Sequence, residues 1–91
     1  MDNEANILRA RGQLDAAIEL LQETERVFRE MNDPEALLIS LANQASLLGG
    51  IPERRPEGIR LADEALALAT QHHYRQLLPQ IQRIRHSILV Q

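Results

Sequence analysis

The feature that most restricts this chain is that it resembles itself. Displaced by 40 residues, Asn3-Glu4-Ala5-Asn6-Ile7-Leu8 falls on Asn43-Gln44-Ala45-Ser46-Leu47-Leu48, with Asn, Ala and Leu coinciding. Displaced by 41, Ala17-Ile18-Glu19-Leu20 falls on Gly58-Ile59-Arg60-Leu61, and Gln22-Glu23 falls on Asp63-Glu64. A period of this length holds one supersecondary unit, and such units bury their apolar faces by stacking on their neighbours. The one-residue drift sits in a connection, where insertions are tolerated. The 91 residues amount to about two units and one further helix.

The repeated unit is helical. Leu, Ala and Ile supply 34 of the 91 residues, against two Val, two Thr, one Phe, one Tyr and no Trp, so the chain is poor in strand formers. Gly12, Asn32-Asp33-Pro34, Gly49-Gly50-Ile51-Pro52 and His72-His73 punctuate it. They predict five helices, over roughly 2–11, 14–31, 34–48, 53–71 and 75–90. Asp33 is placed to cap the third, with Pro34 at its first position, where the missing N–H costs nothing. Leu14, Ala17, Ile18, Leu21, Thr24 and Phe28 form one stripe; Leu37, Leu38, Leu41, Ala45 and Leu48 form the next. Ile59, Ala62, Ala65, Leu66 and Ala69 follow, then Leu77, Ile81, Ile84 and Ile88. All have the three- and four-residue steps of an amphipathic helix. Pro79 belongs in the first turn of the last helix, or else kinks it. Connections this short make neighbouring helices antiparallel hairpins. The fold class is therefore all-α, a set of helical hairpins around one shared Leu, Ala and Ile core.

Small residues recur at equivalent places, Ala5 with Ala45 and Ala17 with Gly58, and two helices approach within about 8–10 Å only where the crossing side chains are small. On these residues the sequence resembles a tetratricopeptide repeat, in the spacing of about 40 residues found in kinesin-light-chain-like arrays and bacterial signalling ATPases. The likeness is carried by Asn3-x-Ala5-x-x-Leu8-x-x-x-Gly12-x-Leu14-Asp15-x-Ala17-Ile18, by Phe28 to Pro34, and by Leu41-x-Asn43-x-Ala45-x-x-Leu48. Leu and Ile stand where the family often has aromatic residues, and the connection from Gly49 to Gly58 is longer and holds two prolines. The resemblance implies a short right-handed α-solenoid whose concave face holds a partner polypeptide.

Little in the chain supports chemistry. There is no Cys and no Lys, which removes disulfides, cysteine zinc sites, a thiol nucleophile, a Schiff-base amine and a phosphate-loop lysine. His72 and His73 are adjacent, so on a helix they point about 100° apart, and His86 lies thirteen residues on. Neither spacing is that of a helical metal site. Asp63-Glu64 and Glu53 with Glu57 read as solvated helix faces rather than as an acid–base pair. We expect no cofactor, no metal and no enzymatic activity. The acidic N-terminus and the short apolar runs predict neither signal peptide nor membrane span, and so a cytoplasmic protein. Net charge is −3, unlike that of a nucleic-acid binder.

The remaining expectations concern partners. Residues 74–91 hold Arg75, Arg83 and Arg85 and no acid, which favours an acidic polypeptide. Transferred from the repeat, the concave face is expected to present Asn6, Arg9, Ser46, Arg83 and Ser87. The chain is thus expected to be a protein-interaction module, alone or within a larger signalling protein. The alternative is a self-assembling helical bundle: Leu77, Ile81, Ile84 and Ile88, with Leu78, Leu89 and Val90 beside them, offer more apolar surface than one neighbouring helix covers, and form a candidate oligomer interface.

Overall fold

The structure, a computed structural model, describes the backbone of residues 3–90 and the side chains of residues 12–90. It has four α-helices: α1 (Asn3–Glu30), α2 (Pro34–Gly49), α3 (Arg55–Gln71) and α4 (Leu78–Leu89), with a single 3₁₀ turn, Pro52–Arg54, before α3. No strand occurs among the described residues, and no helix there is long and apolar enough to cross a membrane.

The two helices expected over 2–11 and 14–31 are one. α1 runs through Gly12 without interruption for 28 residues, a rod of about 42 Å. One glycine costs a helix only about 1 kcal/mol relative to alanine, and no second breaker stands beside it. No glycine in the structure has a positive φ, and a Cβ added at Gly12 would meet nothing within 4 Å. Gly12→Ala is accordingly expected to raise the far-ultraviolet helical signal and leave the melting temperature no lower. A clear loss of stability would instead place a turn there.

The other boundaries follow the punctuation. Asp33 caps α2, its Oδ1 accepting from the Ala36 amide at 3.2 Å, with Pro34 in the first turn. Pro56 and Pro79 likewise occupy the first turns of α3 and α4. α1 and α3 end alike. Asn32, with φ of 55°, and His73, with φ of 60°, are left-handed residues two past each helix end. At the first end the Asp33 amide donates to the Phe28 carbonyl and Asn32 to Arg29; at the second Tyr74 donates to Ala69 and His73 to Thr70. This is the Schellman pairing, and its two instances are 41 residues apart. The repeat seen in the sequence is therefore also a repeat of chain reversals.

α2 is the central element. It packs against α1, α3 and α4, whereas α1, among the described residues, packs on α2 and reaches α3 through one ion pair, Arg29–Glu64. Its apolar stripe supplies Leu38, Leu41, Ala45 and Leu48, all essentially inaccessible, and α3 answers with Leu61, Ala62, Ala65 and Ala69. The α2–α3 crossing is closest at two glycines. A Cβ on Gly58 would lie 3.0 Å from the Gly49 amide nitrogen and 3.1 Å from the Ala45 carbonyl, so two of the small positions noted in the sequence, Ala45 and Gly58, lie where backbone meets backbone.

A polar chain fixes how α1 lies on this core. Ser40 donates to the Leu21 carbonyl at 3.1 Å, and the amide of the buried Gln44 donates to Glu25 at 2.8 Å. Glu25 in turn accepts from Arg29, which reaches Glu64 of α3 at 2.7 Å. The bond to Glu64 is the largest influence on Arg29 and raises its pKa above its already high ordinary value; desolvation opposes this, and the bond to Glu25 adds to the rise. A buried amide and hydroxyl left without partners cost about 1–3 kcal/mol each, so a sliding of α1 along α2 that broke these bonds would be opposed.

Candidate binding groove

Four helix positions along α2 are exposed, Glu35, Ile39, Asn43 and Ser46, at the four- and three-residue steps that keep them on one face. Along α4 the exposed positions Gln80, Arg83 and Ser87 do the same. The two rows face each other across the α2–α4 contact. At the C-terminal end of α2, Ser46, Arg83, Ile84, Ser87 and Ile88 line a groove of about 230 Å³. Towards its N-terminus a smaller recess of about 90 Å³ lies between Ile39 and Asn43 on one side and Gln80 on the other, floored by Ala42 and Ile84.

Three of the five residues expected on a concave face, Ser46, Arg83 and Ser87, are therefore brought together. Asn6 and Arg9 belong to the first turns of α1, and their side chains lie outside the described residues. The continuity of α1 carries that stretch beyond the end of α2: pairing antiparallel with the 16 residues of α2 occupies only the C-terminal half or so of a 28-residue helix.

The chemistry available in the groove is recognition by hydrogen bond and charge. Arg83 makes no ion pair among the described residues. Arg85 of the same basic segment differs, for it is held by Asp63 of α3. The acidic residues weighed as acid–base candidates are engaged in the same way, Glu64 by Arg29 and Glu57 by Arg54 at 3.2 Å. His72 and His73 cap the end of α3, with the His72 ring stacked on Tyr74 at 5.8 Å between centroids. Among the described residues no group of three or more His, Asp or Glu side chains is placed to hold a metal ion.

The candidate oligomer stripe is corrected by the packing. Ile81 and Ile88 are 2% and 4% exposed, inside the chain's own core, and Leu77 and Ile84 are half-buried against it. The reason is that α4 meets two helices rather than one: it lies on α3 and also touches α2, with Ile88 filling the space over Gly49. The large apolar side chains that remain open here are Leu89, in the last turn of α4, and Val90 just past it.

Sequence reading passed over a second apolar surface. Leu20, Val27 and Met31 of α1 are 63%, 44% and 64% exposed, on a face turned from α2. Their spacing of seven and four residues was legible, but the more obvious stripe through Ile18 and Phe28 on the same helix drew the assignment of the core. No family model matches this chain, and no curated protein or solved structure is significantly similar to it.

Proposed function

We propose that this chain is a protein-interaction module that holds a segment of another polypeptide along the α2–α4 face, working by binding and not by catalysis. The observation that carries the reading is the convergence of Ser46, Arg83 and Ser87 on one groove, with Arg83 uncommitted to any acid among the described residues. An unpaired guanidinium beside two hydroxyls and an apolar floor suits a segment that brings a carboxylate, since arginine offers several donors in a fixed fork. The partner is an acidic polypeptide, met in the cytoplasm.

The architecture is that of a short α-solenoid similar to the tetratricopeptide arrays. Two features support this: the chain reversals after α1 and α3 recur 41 residues apart, and α2 touches α4 across the hairpin that α3 makes. Alternate helices in contact along one side are what a stacked hairpin array requires.

The test is capture. Arg83→Glu combined with Ser46→Glu should lower retention of bound protein from a lysate by at least about tenfold, the usual cost of placing like charges across an interface. Both positions are exposed, so helicity and melting should not change. An identical set of captured proteins at undiminished yield would show that the groove is not the binding surface.

A further inference from the structure

We propose that a second copy of this chain docks the outer face of its α4 on the outer face of α1, a head-to-tail contact that shares only Arg83, at its edge, with the α2–α4 groove. The α1 face is built from Leu20, Val27 and Met31. Between them Thr24 turns its hydroxyl back to the Leu20 carbonyl at 2.8 Å, which satisfies that donor within the helix. The stripe is bordered by exposed Glu23 and Glu30, with Glu19 beyond; among the described residues none of the three is in an ion pair. The α4 face is built from Leu89 and Val90, 51% and 66% exposed, beside exposed Arg83 and His86, and no acid occurs from Tyr74 to Val90.

Charge selects which of these surfaces can meet. Packing α1 on a copy of itself sets two borders of net negative charge together, three glutamates against the single Arg26 on each, and packing α4 on itself sets Arg83 against Arg83. Only α1 against α4 places opposite charges around two apolar strips, and juxtaposed like charges are what suppress wrong pairings. The two faces lie on helices that do not pack on each other within one molecule. Both are therefore open at once. A contact between two different patches is heterologous, and it propagates to a ring or an open chain instead of stopping at a dimer.

Sedimentation of the full chain in three forms decides the matter. The wild type should gain mass beyond a dimer as concentration rises to about 1 mM, the weak end of specific association, and lose it as salt is added. Leu20→Asp with Val27→Asp blocks the α1 face; Leu89→Asp with Val90→Asp blocks the α4 face. Each variant alone should be monomeric, and an equimolar mixture should form a dimer and nothing larger, because each molecule brings one intact face. Glu23→Arg with Glu30→Arg, which leaves the apolar strip untouched, should weaken wild-type association at least about tenfold. A monomeric wild type, a dimer formed by either blocked variant alone, a mixture that stays monomeric, or a charge-reversed variant that associates undiminished would each overturn the proposal.

Discussion

Leu41→Ala should destabilise the domain by about 3–4 kcal/mol, within the range for a leucine deleted from a closed core. Leu41 is wholly inaccessible and lies midway along α2, the helix on which the other three pack. Helix backbones on several sides limit how far the site can collapse, and the cavity term therefore adds to the lost transfer energy. For a domain of this size each kcal/mol shifts the melting temperature by about 4–8 °C. A drop of roughly 12–30 °C is thus expected in a thermal melt followed by circular dichroism. Ile39, two residues earlier and 45% exposed, is the internal comparison, and its truncation should cost less than about 1 kcal/mol. Equal losses at the two positions would mean that α2 is not the centre of the fold.

Gly58→Leu is the second large effect, at about 3 kcal/mol, the upper part of the range for overpacking. A Cβ at this position presses on the Gly49 nitrogen and the Ala45 carbonyl, which are backbone and cannot rotate away. The two helices must separate, and Ala62 and Ala65, on the same side of α3, lose their contacts with them. Gly49 is a useful contrast. There an added Cβ meets the side chain of Ile88, so Gly49→Ala displaces part of α4 and leaves the α2–α3 backbone contact in place. Urea titration of the two variants should rank Gly58→Leu well below Gly49→Ala in midpoint, and the reverse order would refute the backbone-contact account.

The α2–α4 groove was half legible before the structure. Ser46, Arg83 and Ser87 could be named because a helical period and a repeat offset together assign each residue to a face, and both survive folding. In the candidate interface on the last helix, Ile81 and Ile88 are buried within the chain itself, for a different reason. Counting apolar positions tells how wide a stripe is but not how many neighbours cover it, and α4 has two, which enclose Ile81 and Ile88. The Leu20, Val27 and Met31 surface was missed by the same limit in reverse, since among the described residues α1 packs its apolar stripe on α2 and meets α3 only through Arg29 and Glu64.

What sequence alone determined is what depends on nearby residues. Helical character, the start of α2 at Asp33-Pro34, the first-turn place of Pro79 and the period of about 40 residues are all set by local propensity, capping and spacing. What only the tertiary structure decided depends on which helices meet. Gly12 lies inside a helix because no contact demands a turn there, Gly58 is needed because two backbones touch, and Gln44 can be buried because Glu25 of another helix receives its amide. Each of these rests on pairings between residues far apart in the chain, whose free energies are of the same order as the local preferences they override.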